Sequence, residues 1–315
     1  MSEFRFTKEI RLDNTKRSTY SSCLRKGFWQ YYNNWQSQMG STALLFGSTW
    51  HGFQEGFYGS LKETGWGGRE RALVNAVVMG KKVWDRELAK QEFFMDYRTL
   101  DTCSEAFLQY VNFYDGDRDI LNVLHTEQVF ACPIELKGER EHAIFGHLPP
   151  IVFTGKLDLQ VEMSGSNWII EHKTTGMALA QQAYRLHRSP QIMGYSYAAP
   201  RVLNFEVEGC LISFLHASAR KNKDGVYGKT TLDFKRVPQL FNKADLAEWR
   251  LGFLNVCKSI YECEENDYWP MNHDQCYSAF GGCPYIRLCE QNRVPEEVNY
   301  EGFLEIPWDV EKEAV

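Results

Sequence analysis

Residues 155–175, GKLDLQVEMSGSNWIIEHKTT, constrain this chain more than any other stretch. Apolar residues alternate with polar ones on both sides of Ser-Gly-Ser, the pattern of two half-buried strands joined by a tight turn. With Gly165-Ser166 as a two-residue turn, Met163 opposes Trp168, Asp158 opposes Lys173 and Gln160 opposes Glu171. Side chains have a period of two along a strand, so Asp158, Glu171 and Lys173 share one face. Charges at the middle of a sheet are costly unless paired or bound to metal. Two neighbouring carboxylates form a hard oxygen site suited to Mg²⁺ or Mn²⁺, and a lysine beside them can stabilise charge on a phosphate. The plainer alternative is a solvated cross-strand ion pair between Asp158 and Lys173. The apolar run before Glu171 favours the site.

The elements around this hairpin indicate an α/β chain. Residues 17–36, 44–58 and two segments within 69–114, broken near Arg98–Thr102, have helical spacing. QVFACPIEL, from about Thr126, precedes the hairpin and makes a three-stranded antiparallel stretch. Ser189-Pro190 is a helix start, followed by QIMGYSYAA. Two strands then flank the turn KNKDG, and 243–264 reads as a helix. Helices flanking a mixed sheet are expected. Gly47, His51 and Glu55 lie on one helical stripe, as do Gln191 and Tyr195. A lone histidine in such a stripe is more often structural than a ligand, and Tyr195 alone suits helix packing.

The chain has 315 residues, 43% hydrophobic and 14% aromatic, enough for a sizeable core. No apolar run spans a membrane and the start, MSEFRFTKEIRLDN, lacks a signal-peptide core, so a cytoplasmic location is expected. The formal charge of −6 argues at first against a nucleic-acid partner, but its distribution is uneven. Residues 178–236 carry 9 basic and 4 acidic side chains, and 237–315 carry 6 and 15. The basic stretch 220–236 is a solvated loop or, in a nuclease, a hairpin facing DNA. Gly228-Lys229-Thr230 is no phosphate-binding loop, because Lys223 stands where that pattern needs glycine. Among nine cysteines, Cys276, Cys283 and Cys289 cluster without the Cys-x₂-Cys of a zinc ribbon. Cys103, Cys132, Cys210, Cys257 and Cys263 suit a core.

Gly155-Lys156-Leu157-Asp158, Glu171-His172-Lys173 and Gln191-Ile192-Met193-Gly194-Tyr195 together resemble the PD-(D/E)XK nuclease superfamily, specifically its RecB-like branch. The resemblance implies a restriction-endonuclease-like core with a central mixed sheet flanked by helices. It implies that Asp158 and Glu171 bind Mg²⁺ or Mn²⁺ with the His172 carbonyl, and that His51, in Gly47-Ser48-Thr49-Trp50-His51, adds a ligand. Lys173 would be the catalytic lysine, with Gln191 and Tyr195 bracing it or holding the strand, and Glu127 is a lesser acidic candidate. The cysteines resemble those of AddB-type and CRISPR-associated iron–sulfur exonucleases, which implies a [4Fe–4S] cluster on Cys23, Cys276, Cys283 and Cys289. Such a clasp closes a loop of about 250 residues, worth about 4–5 kcal/mol as a long-loop crosslink. The spacing before Cys283 is longer than in those relatives, which leaves the second ligand open. The implied organisation is a helical region over 1–125, a nuclease core over 126–240 and a C-terminal helix, cysteine cluster and acidic tail over 241–315, in one compact domain. The implied activity is a metal-dependent exonuclease on single-stranded DNA or DNA ends, with aromatic residues stacking bases and with recombination, repair or replication proteins as partners. The alternatives are a non-catalytic iron–sulfur DNA-binding subunit of a recombination complex and a redox-sensing iron–sulfur protein.

Overall fold

The computed structural model describes residues 8–278, 281–291 and 302–308. The acidic tail expected at the end of the chain lies largely outside these residues. In chain order the main elements are β1 (Ile10–Leu12), α1 (Asn14–Ser22), α2 (Thr42–Thr64), α3 (Arg69–Leu88) and α4 (Leu100–Phe113). They continue with β2 (Leu121–Pro133), β3 (Ile151–Met163), β4 (Ser166–Thr175), α5 (Pro190–Val202), β5 (Gly209–Ser218), β6 (Thr231–Gln239) and α6 (Lys243–Glu265). This is an α/β fold with a central mixed sheet flanked by helices. No described helix is long and apolar enough to cross a membrane.

The chain divides into two compact units, Met1–Gln38 with Val129–Gly155 and Lys243–Val315, and Met39–Gln128 with Lys156–Asn242. In the second, β3 and β4 are antiparallel from Leu159 opposite Ile170 to Met163 opposite Ser166. β4 and β5 are parallel, which requires a crossover, and α5 supplies it. β6 closes antiparallel on β5. The β3–β4 turn is Ser164-Gly165, not the expected Gly165-Ser166. Both residues have positive φ, 52° and 84°, as a type I′ turn demands, and the glycine takes the second position. The pairing therefore slips by two residues from the expected one. Because side chains repeat every two, every residue keeps its face.

On one face of these strands, α2 presents Phe46, Trp50, Phe53, Phe57 and Leu61 at helical spacing to Leu159, Val161, Ile170 and Leu215. Full burial of each such side chain contributes about 1.5–3 kcal/mol. α2 and α3 lie close because Gly52 and Gly56 of α2 and Gly80 of α3 leave room for the facing helix. A methyl group on Gly56 would stand 2.6 Å from the Asn75 carbonyl oxygen and 2.9 Å from the Ala76 Cα.

In the other unit, β1 runs parallel to the start of β3, from Ile10 beside Ile151 to Leu12 beside Phe153. Phe153 packs on Trp249 and Phe253 of α6. The continuous helix expected over 17–36 breaks at Cys23, whose extended backbone (φ −162°, ψ 114°) ends α1. A short helix, Leu24–Gly27, and a π-helical turn, Phe28–Tyr32, follow. The turn seats Trp29 flat against Trp35, with ring centres 5.5 Å apart.

Gly56→Ala is expected to destabilise the protein by about 1–3 kcal/mol, since the added methyl meets backbone that cannot rotate away. Urea denaturation at unchanged m-value measures it.

Candidate active site

The β3–β4 ladder ends at Leu159 opposite Ile170. The next backbone donor, the His172 N–H, turns to the Asp158 carboxylate at 2.8 Å. Asp158 and Glu171 are thereby level with each other, and both are buried. One Glu171 oxygen accepts from Lys173 Nζ at 2.5 Å and from Gln191 Nε2 at 2.8 Å. Gln191 lies 2.9 Å from the Tyr195 hydroxyl one helical turn on. Among the described residues the other Glu171 oxygen, Oε2, is buried with no hydrogen-bond partner. His51, on α2, places Nδ1 3.3 Å from Asp158.

Glu127 is more central than its sequence suggests. It has a left-handed backbone (φ 49°) inside β2, and its carboxylate joins His51 and Asp158, with the three ligand atoms within 4.8 Å of one another. Lys156 forms an ion pair with Glu127. Its position two residues before Asp158, on the same face, was the signal available for it. The His172 ring points the other way and stacks on Tyr58, with centres 6.0 Å apart. Only its backbone is on the side of the carboxylates.

The charges are strongly interdependent. Burial works to raise the Asp158 pKa, but the charge and hydrogen bond of His51 hold it well below the usual carboxylate range. Burial, and then the Asp158 charge, push Glu171 up to about 7 against the pull of Lys173. The same two causes push Glu127 up to about 7 against Lys156. Burial would lower His51, but Asp158 and Glu127 carry it up to about 9. Burial pushes His172 down to about 3. Burial likewise opposes the charge on Lys173, which Glu171 and Asp158 more than restore.

A sequence model of the PD-(D/E)XK nuclease superfamily matches residues 14–290. The chain belongs to that superfamily. Among solved structures it is similar to a Eubacterium rectale protein named a "putative exonuclease", at 14% identity and TM-score 0.45, covering 96% of this chain and 92% of that one. It is also similar to LHK-Exo, solved in complex with dAMP, at 12% identity and TM-score 0.25, covering 71% of this chain and 93% of that one. No curated protein sequence matches it.

PD-(D/E)XK nucleases use divalent metal ions, and the residues present fit one. Carboxylate oxygens with a single imidazole are donors that Mg²⁺ and Mn²⁺ accept. The second Glu171 oxygen is a buried acceptor with no donor among the described residues, an arrangement that a cation relieves.

In the other unit, Cys23, Cys276, Cys283 and Cys289 line one small pocket with Lys26, Met271 and Tyr285. They are half-buried, whereas Cys103, Cys132, Cys210, Cys257 and Cys263 are buried. Trp29 Nε1 donates to Cys289 Sγ at 3.4 Å, and the Asn272 N–H lies 3.4 Å from Cys23 Sγ. Burial, followed by the neighbouring Cys283 and Cys23 thiols, raises the Cys276 pKa.

A cation held by Glu127, Glu171 and His51 would need both glutamates ionised and His51 neutral. With the two glutamates near 7 and His51 near 9, raising the pH from 6 to 8 removes competing protons. Mn²⁺ affinity is expected to rise by roughly tenfold or more over that range. Calorimetric titration in buffers of different ionisation enthalpy reads both the affinity and the protons released.

Proposed function

We propose that this chain is a divalent-metal-dependent deoxyribonuclease of the RecB-like branch, acting as an exonuclease on single-stranded DNA or DNA ends. The observation that carries the reading is the one-sided grip on Glu171. Lys173 and Gln191 hold one oxygen, and the other is buried without a partner among the described residues. An ion held by Asp158, Glu171, His51 or Glu127 and the His172 carbonyl would neutralise phosphate charge and acidify a bound water.

The chain's own residues do the rest. Lys173 stands with 29% of its side chain exposed over a Glu171 side chain that is 2% exposed, so its ammonium faces the incoming phosphate. There it orients the nucleophile and stabilises developing negative charge. Gln191 fixes the Glu171 carboxylate, and Tyr195 holds Gln191 in the orientation that donates. Lys156 keeps Glu127 turned into the site.

The reading extends to the four half-buried cysteines as ligands of a [4Fe–4S] cluster. Support for this is that the four thiols line one small pocket and that their spacing lacks the Cys-x₂-Cys of a zinc ribbon. Partners among DNA recombination, repair or replication proteins and a cytoplasmic location accord with this activity.

Purified protein with Mg²⁺ or Mn²⁺ is expected to release nucleotides from end-labelled DNA and to leave covalently closed circles intact. Lys173→Ala should lower the rate by about 10²–10⁴-fold. Undiminished degradation by that variant would refute the mechanism. Anaerobically prepared protein should be brown, with visible absorption that Cys283→Ser removes, and stoichiometric zinc would count against the cluster.

A further inference from the structure

The basic hairpin between β5 and β6 has a built tip. Lys221 and Tyr227 form a backbone bridge. The Asn222 side chain accepts from the Asp224 and Val226 N–H groups at 3.0 and 2.9 Å, and Gly225 turns the chain at φ 78°. Arg220, Lys221, Lys223 and Lys229 face one acidic residue, Asp224, in this stretch. The Lys221 ammonium stands 4.8 Å from the centre of the Tyr227 ring. Tyr97 supports the same ring, with centres 5.2 Å apart and planes tilted by 59°.

Tyr97 ties this ledge to the candidate active site. Its hydroxyl donates to the Ala217 carbonyl at 3.0 Å, and the Arg98 guanidinium lies 5.4 Å from its ring centre. Ala217 and Arg98 line the pocket of about 420 Å³ that also contains His51 and Lys173. Ser41, Ser48, Thr174 and Thr175 line the same pocket beside Ala43, Leu44 and Phe46. The Tyr227 ring, with the Lys221 ammonium beside it, is thus linked through Tyr97 to the strand and the Arg98–Asp96 ion pair that border the pocket holding the lysine.

We propose that this ledge binds single-stranded DNA, with a base stacked on Tyr227 and the backbone running through the pocket toward Lys173. This rests on the nuclease reading and specifies its substrate. Duplex bases already stack on one another, so only an unpaired base offers its face to a ring on a hairpin. An exposed cation–π contact is weaker than base–aromatic stacking. An arriving base thus displaces the Lys221 ammonium, which is then free to pair with a phosphate.

The test is fluorescence anisotropy with a labelled oligothymidylate and metal-free protein in EDTA. Tyr227→Ala should weaken binding about tenfold, and Tyr227→Leu, which keeps bulk against Tyr97, should do the same, whereas Tyr227→Phe binds like the parent. Lys221→Ala should reduce the slope of log affinity against log salt by about one. A blunt duplex of equal length should lose less than twofold on Tyr227→Ala. Unchanged oligothymidylate binding by both Tyr227→Ala and Tyr227→Leu, or an equal loss on duplex, overturns the proposal. Since binding is read without metal, loss of oligothymidylate binding in a protein that cleaves no DNA would support the ledge and reject the nuclease reading instead.

Discussion

Two buried carboxylates, Asp158 and Glu171, face each other where the β3–β4 ladder stops, and the surrounding structure is organised by the cost of keeping them there. Each is stabilised from a different element. Asp158 takes the His172 N–H of the neighbouring strand and lies beside His51 on α2. Glu171 takes Lys173 from its own strand and Gln191 from α5. The helices on either side are thus pinned to the same pair of strands by polar contacts in addition to apolar packing. Removing one partner of such a buried charge costs about 3–5 kcal/mol, because the remaining charge is left without compensation.

Support for the site continues behind it. The His172 ring lies against Tyr58 and edge-on to Tyr110, and the Tyr58 and Tyr110 hydroxyls lie 3.1 Å apart. Arg236 of β6 reaches Tyr110 at 2.9 Å and both Asp117 oxygens at 2.7 Å. The Arg236–Asp117 pair satisfies its own charge, so the layer adds rigidity without adding net charge under the carboxylates. A neutral, stacked His172 holds the backbone of β4 in place at the residue whose N–H goes to Asp158.

Much of this was legible in the sequence because strand geometry is forgiving in one particular way. A register displaced by two residues keeps every side chain on its face, so Asp158, Glu171 and Lys173 could be grouped despite the wrong turn. The Gln191–Tyr195 pair followed from helical spacing and the Ser189-Pro190 start, and here the two side chains do meet. The weight of Glu127 was not legible, since its direction depends on a left-handed residue inside a strand, which no local preference announces. The break at Cys23 was equally hidden. The helical pattern of 17–36 continues through it, and it is the packing of Trp29 on Trp35 that gives the following turn its π-helical form a purpose.

The overall charge of −6 is a poor guide to what this chain can grip, and the arrangement of the site explains why. The carboxylates point inward, with Glu171 and Asp158 side chains 2% and 8% exposed, while Lys173 and His51 remain 29% and 32% exposed. The basic side chains are therefore the more accessible members of the cluster. The basic hairpin at 220–229 belongs to the same unit. Local order of charge, with acids beneath and cations at the surface, allows an acidic protein to present a basic face to a phosphate backbone.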